Sequence, residues 1–363
     1  MILTIIIFVL ILSVFIISHE LGHFISAKKL GMKVEEFGLG YPPKLFGVKK
    51  GDTLYSLNSI PFGGFVRIYG EQRADKKAKK SKQAFYAKPI WKRAIVIAMG
   101  VIMNLFLAVI LLSIVHGIGV PTMINEGGEA AYKNVRIQII EIVKNSPAEE
   151  AGLKVGDTIS GLKIQSRKLE VKNVEDVQKS IARYAGEEIT LVIQRGKETI
   201  EKTLIPRISP PQGEGAMGIA LAKTGTIKYP WYAAIWQGFK VTGQLVVLFI
   251  NLFWQLFKSL ITEGKLMAGL TGPVGIAALT AQVSKLGLVY ILQFAAIISI
   301  NLAIINAFPF PALDGGRLLL LAIEKIKGSP VNAKIEQAIN GLGFVFLIII
   351  MILVTVRDVT RLF

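Results

Sequence analysis

The sequence predicts a multi-span α-helical membrane protein of about four transmembrane helices, with a soluble α/β module inserted between the second and third. Three observations predict it. Apolar residues make up 52% of the 363, which is high for a soluble chain. The amino-terminal stretch from Met1 to Ser18 is uninterruptedly apolar. The middle third instead reads as short runs of Ile and Val with polar residues between them, bounded by Gly, Pro and Asn.

The expected spans are Ile2 to about Ala27, Ala94 to about Val115, about Leu288 to Ala307, and about Leu342 to Val356. No basic segment precedes the first apolar run and no small-x-small site follows it, so this span is expected to be retained rather than cleaved as a signal peptide. A further apolar stretch, Val241 to Phe257, carries Gln244, Asn251 and Gln255 and is bounded by Lys240 and Lys258.

The inner end of the first span reads His19-Glu20-Leu21-Gly22-His23. Residues four apart share a helix face, so His19 and His23 can offer two imidazoles to one metal, with Glu20 in reach of a water at its open position. An ionisable cluster beside an apolar span costs at least about 2.5 kcal/mol per charge in lipid, which marks it as functional. Near the end of a later apolar stretch, Asn306-Ala307-Phe308-Pro309-Phe310-Pro311-Ala312-Leu313-Asp314-Gly315-Gly316 breaks a helix twice and supplies one carboxylate. Asp314 is the natural third ligand. The chain has no cysteine, so zinc ligands must come from His and carboxylate. The remaining histidine, His116, sits at the edge of an apolar run and reads as interfacial.

The net charge of +17 is unevenly spread: residues 28 to 93 hold 16 Lys and Arg against 5 Asp and Glu, densest at Lys76, Lys77, Lys79, Lys80 and Lys82. A short basic loop between two spans is expected in the cytoplasm, against anionic lipid. Without interleaved aromatic residues it does not argue for nucleic acid. Zinc ligands lie about 2 Å from the ion, so the His19 to His23 end and the Asp314 end must share one bilayer depth. That parity holds if Val241 to Phe257 lies in the interface as an amphipathic helix. A further crossing through Thr271 to Val283 is not expected, because that stretch is short and carries Gly272-Pro273 and Gly275. The domains are then 1–116, with the metal motif, a cytoplasmic loop and the second span; 117–210, the extracytoplasmic module; 211–287, a linker with the interfacial helix; and 288–363, with the third ligand.

Within the module, Val135 to Val143 reads as a strand. Asn145 to Leu153 reads as a short capped helix with Pro147 in its first turn, and Gly156-Asp157 turns into a strand over Thr158 to Ile164. Asn173 caps a helix to Tyr184 with Val174, Val177 and Ile181 on one face; Glu188 to Arg195 and Glu198 to Ile205 form a hairpin about Gly196. This order, and Ser146-Pro147-Ala148 with Ala151-Gly152-Leu153 and Gly156-Asp157, resembles a PDZ domain. Such a domain implies a peptide ligand added as a strand, or a steric filter over the membrane site.

Taken together, these residues resemble the site-2 protease family of intramembrane zinc metalloproteases, in particular its bacterial regulator-of-sigma-E type. The resemblance runs nearly end to end. Phe37-Gly38-Leu39-Gly40 through Ile60-Pro61-Phe62-Gly63-Gly64-Phe65-Val66 and Gly70-Glu71 look like the family's membrane-associated β-hairpin. Lys88-Pro89, Trp91-Lys92-Arg93, Gly272-Pro273-Val274-Gly275-Ile276 and the Asn306 to Gly316 signature complete it. Two departures stand out: Gly100-Val101 occupies a place where the family often has Gly-Pro, and one PDZ repeat is evident where some relatives carry two.

The resemblance implies a multi-pass protein of the bacterial inner membrane with its active site toward the cytoplasm. His19, His23 and Asp314 would hold zinc, Glu20 would act as general base, and Asn306 would bond the substrate backbone. Asn104 is expected to bond a neighbouring helix, and Gly315 and Gly316 to allow the bend that aims Asp314 inward. The implied partner is a single-pass membrane protein already shortened outside, such as an anti-sigma factor, or a leftover signal peptide. The alternatives are a catalytically silent PDZ scaffold, against which an intact Glu20 argues, and a metal transporter, for which the spans are too few and no internal repeat is evident.

Overall fold

The structure is a computed structural model that describes residues 2–71, 81–124, 132–164, 167–171, 173–196, 198–211, 213–263 and 272–362. Lys76 to Lys80 of the basic run lie outside the described residues. In chain order the elements are α1 (Ile2–Lys29), β1 (Val34–Lys50), β2 (Thr53–Ile68), a 3-10 turn at Phe85–Ala87, α2 (Ile90–Ile118), β3 (Val120–Met123), β4 (Lys133–Ile142) and α3 (Pro147–Glu150). There follow β5 (Thr158–Ile164), β6 (Arg167–Leu169), α4 (Val174–Arg183), β7 (Ile189–Arg195), β8 (Glu198–Leu204) and β9 (Ile219–Ile227). The chain continues through α5 (Trp231–Glu263), α6 (Pro273–Ser284), α7 (Leu288–Ala307), α8 (Asp314–Lys327) and α9 (Ala333–Leu362). Two compact units result: 1–115 with 231–363, and 116–230.

In the first unit α1 and α2 lie antiparallel and very close. Ser18 Oγ donates to Met103 O at 3.1 Å and His23 Nδ1 meets Val96 O at 2.8 Å, while a Cβ on Gly22 would stand 2.2 Å from Met99 O. Only glycine permits that approach. Ile11 and Phe15 of α1 are buried against Ala295 and Ile298 of α7, and Ser299 Oγ donates to Asn104 O at 2.8 Å. The side chain of Asn104 does not make the bond expected of it: the backbone carbonyl is the acceptor, and the buried Oδ1 has no partner among the described residues. Helix α9 is joined at both ends. Gly343 lies against Pro311 and Phe310 stacks on Phe346, while Asp358 Oδ2 accepts from Gly272 N and Gly275 N at 2.8 Å each, tying α9 to the start of α6.

Among the described residues five helices are long and apolar enough to cross a membrane by length and composition: four of them carry the expected spans, and the fifth is Trp231–Leu256. The stretch expected to lie in the interface is the middle of the 33-residue α5. Its Val241, Leu245, Val246 and Phe249 pack on Ala108 and Leu112 of α2 and on Ala296 and Ile300 of α7. Gln244, Asn251 and Gln255 interrupt the hydropathy without interrupting the apolar stripe, which is why the sequence alone reads it as a shorter amphipathic piece. The 12-residue α6 is too short to cross.

Strands β1 and β2 fold on themselves. Gly38 faces Phe65 on one side and Ser56 on the other, so residues 34–39 run between 64–68 and 54–57, and 44–50 lie beyond 53–58. Residues 64–68 therefore form an edge strand, with no pairing on their other side among the described residues. At the far end Tyr41, Leu45, Phe46, Val48 and Leu57 are exposed. A buried core of Ala27, Met32, Val34, Ile68, Phe85, Val96, Ile97 and Leu321 joins this sheet to α1, α2 and α8. Beside it Arg93 forms a bidentate pair with Glu324 of α8, Nη2 to Oε1 at 2.6 Å and Nη1 to Oε2 at 3.2 Å, both side chains buried.

The second unit is a sheet in the order β3-β9-β4-β5-β7-β8, with β6 on β5, all pairs antiparallel. Its core is Ile139, Leu162, Ile189, Leu191, Ile193 and Met217, closed by Val177 and Ile181 of α4. The expected strand over Thr158 to Ile164 and the helix capped by Asn173 and ended at Tyr184 form at those residues. The Gly156-Asp157 turn is held by Arg195, whose Nε and Nη2 each lie 2.7 Å from the buried Asp157 carboxylate. That hydrogen-bonded pair raises the Arg195 guanidinium above its ordinary pKa. Strand β9, in the segment expected to be linker, is the neighbour of β4. His116, near the end of α2, is buried against Tyr229 at 5.7 Å between ring centroids.

Removing one partner of a buried ion pair strands the other charge. We therefore expect Glu324→Ala to destabilise the first unit by about 3 kcal/mol, seen as a lowered unfolding temperature in detergent and as faster amide exchange in α8.

Candidate metal centre

The apolar composition of α1 makes it a helix long enough to reach past the bilayer core, and its last three turns carry the ionisable residues. His19 and His23 stack edge to face with ring centroids 4.7 Å apart. Their Nε2 atoms are 3.2 Å apart, and each lies 3.2 Å from Oδ2 of Asp314. Among the described residues this is the one group of three or more His, Asp and Glu that could hold a metal ion. Donors each about 2 Å from a tetrahedral zinc would be about 3.3 Å apart, so the triangle has the size of a zinc site.

The hydrogen bonds give the same answer. Val96 O can only accept, so His23 Nδ1 carries the proton and Nε2 keeps its lone pair toward the centre. Oδ2 of Asp314 is buried and accepts no hydrogen bond among the described residues. A carboxylate oxygen and an imidazole lone pair this close repel each other unless a cation lies between them, and buried polar atoms without partners are costly. The residues fit zinc.

Asp314 is the first residue of α8, and two glycines behind it bring the helix into place by contact rather than by unusual backbone. A Cβ on Gly315 would stand 2.2 Å from both Ala307 O and Phe308 O, and one on Gly316 would stand 2.1 Å from Phe310 O. Both glycines lack positive φ; the left-handed residue of this loop is Ala312, at φ 71°. On α2, Gly100 faces the imidazoles: a Cβ there would meet His23 Nε2 at 2.5 Å and His19 Cε1 at 2.7 Å.

His19, Glu20, His23 and Asp314 line one cavity of about 210 Å³, with Phe65, Val66 and Ile68 of the edge strand on its wall. The sheet lies directly on α1, since a Cβ on Gly64 would meet Ile16 Cγ2 at 2.9 Å and Glu20 Cγ at 3.3 Å. Asn306 stands in the last turn of α7, half-buried, and is not among the residues lining this cavity. Sequence reasoning missed a second pair on the same wall, Arg317 with Glu71. Burial opposes the charge of Arg317, but the Glu71 carboxylate beside it more than compensates and raises its pKa. The available signal was position: Arg317 follows Asp314 by three residues and so shares its helix face.

The arrangement joins a three-donor metal site, a free carboxylate and an open strand edge in one enclosed space. Residues 7–350 match the model of peptidase family M50. A Clostridium perfringens relative is 37% identical over 349 residues, covering 96% of each chain. The regulator of sigma-W protease RasP of Bacillus subtilis and the zinc metalloprotease RasP of Shouchella clausii are each 28% identical, over 438 and 451 aligned residues, with 99% of each chain covered. The chain thus belongs to peptidase family M50, the site-2 proteases, and is a zinc metallopeptidase of that family.

Proposed function

We propose that this protein hydrolyses peptide bonds within the transmembrane segments of single-pass membrane proteins, with His19, His23 and Asp314 as zinc ligands and Glu20 as general base. The observation that carries the reading is the convergence of the three donors, at 3.2 Å from one another, with Glu20 and an unpaired strand edge in a single cavity among membrane helices. When bound, zinc supplies Lewis acidity, making water a nucleophile near neutral pH and stabilising charge on the carbonyl oxygen under attack. Glu20 takes the proton of the attacking water and passes it to the leaving amine. Val96 O fixes the His23 tautomer, and Gly100 keeps α2 close enough to hold both rings.

A substrate helix hides its carbonyls in intrahelical hydrogen bonds, and backbone freed from them must find partners in lipid. Residues 64–68 supply them: the unwound substrate adds to this edge as a further strand, its scissile bond beside Glu20. Asn306, at the end of α7, assists as a hydrogen-bonding partner of the substrate backbone. The exposed apolar end of the hairpin, from Tyr41 to Leu57, lies in the membrane.

The basic segment from 28 to 93 supports a metal centre toward the cytoplasm of a bacterial cell membrane. That Val96 near the start of α2 meets His23 while the helix continues to Ile118 supports reading residues 116–230 as extracytoplasmic. We read them as a PDZ domain that filters substrates or holds a peptide. The name of the Bacillus subtilis relative, a regulator of sigma-W protease, supports an anti-sigma factor as substrate; a remnant signal peptide suits the same chemistry.

Purified wild type and Glu20→Gln, assayed in detergent on truncated single-pass substrates with zinc measured on both, test the assignment. We expect equal zinc content and a loss of cleavage of about 10²- to 10⁴-fold in the variant; retained cleavage would remove Glu20 from the mechanism. A chelator is expected to abolish cleavage and added zinc to restore it. Gly100→Ala pushes a methyl group into the imidazoles, and its signature is different: zinc content and activity fall together, as metal analysis of the purified variant will show.

A further inference from the structure

A second cavity, of about 480 Å³, opens beside the metal centre, walled by Glu71, Arg317, Tyr86, Glu336, Gln337 and Asn340. Glu71 and Arg317 also wall the metal cavity, so the two spaces share a boundary. Its size is that of a ligand site, and amide, hydroxyl, carboxylate and guanidinium groups stand beside apolar surface from Ala312 and Ala333 in its lining. Arg317 neutralises Glu71. Glu336 accepts from the Tyr86 hydroxyl at 2.7 Å and has no basic partner among the described residues. The cavity thus keeps one carboxylate unmatched by a cation, in a chain of net charge +17.

We infer that this cavity is a substrate subsite: it receives the residues just beyond the cytoplasmic boundary of the substrate's transmembrane segment, and Glu336 selects lysine or arginine there. The inference rests on the protease reading given above. Chemistry supplies the match from the other side. Membrane segments carry an excess of Lys and Arg at their cytoplasmic ends, and the leading region of a signal peptide is basic. A substrate held extended on the 64–68 edge with its scissile bond beside Glu20 leaves the metal cavity past the Arg317 and Glu71 pair. The carboxamides of Gln337 and Asn340 offer its unwound backbone partners where the lipid offers none.

Three substrates sharing one transmembrane segment but flanked on the cytoplasmic side by three Lys, three Ser or three Glu test this on the full-length protein. The variants are Glu336→Gln, which can still accept from the Tyr86 hydroxyl, and Glu336→Lys. Wild type is expected to prefer the lysine flank over the glutamate flank by about fivefold or more in kcat/KM. Glu336→Gln flattens the order and Glu336→Lys inverts it, a result that misfolding cannot produce. Equal cleavage of the three by wild type, or the wild-type order surviving in Glu336→Lys, overturns the subsite. Binding of the same peptides to the Glu20→Gln protein, with and without Glu336→Lys, separates this reading from the other. A basic preference that inverts with Glu336→Lys without any cleavage by wild type upholds the subsite while the protease reading fails, and the absence of any preference in binding overturns the subsite.

Discussion

Three electron-pair donors held within 3.2 Å of one another repel, and the first unit is organised to keep them there. Each donor comes from an element that other contacts prevent from retreating. The imidazoles are pressed by the bare backbone of α2 at Gly100, and that helix is locked to α1 at Gly22. The carboxylate is pushed inward by α8, whose glycines sit on the carbonyls of residues 307, 308 and 310, and whose far side is bound to Arg93. Preorganisation of this kind lets the fold present a metal site without first having to collapse around the metal.

The same helices, mostly apolar, must also hold charged side chains. The solution is local polarity walled in by apolar packing. Glu20, Glu71 and Arg317 face the same cavity as His19, His23 and Asp314, and its remaining walls are Phe65, Val66, Ile68, Phe85, Val96 and Ile97. The edge of a sheet, which soluble proteins blunt because it invites strand addition, is left open on this wall.

Much of this was legible in the sequence, because its signals are local. The i, i+4 spacing of His19 and His23, the helix-breaking run before Asp314, and the turn and cap residues of the second unit each act within a few positions. What escaped was set by distant contacts. Gly100 reads as an ordinary small residue until the rings of α1 are seen against it. The bend at Gly315 and Gly316 read as a matter of backbone freedom and proves to be one of clearance. The long α5 was shortened by its three amides, whose cost a helix packed on α2 and α7 can carry. Arg317, Glu71 and Glu336 meet across the fold from segments with no shared pattern, so no motif could pair them.

The order of the donors along the chain has a consequence for biosynthesis. His19 and His23 are made first, whereas Asp314 follows only after residues 116–230 and every helix up to α7 have been translated. A nascent chain inserted in the bilayer therefore carries two imidazoles and no complete site through most of its synthesis. The covalent order by itself keeps the set of three donors incomplete until residues 116–230 have been made.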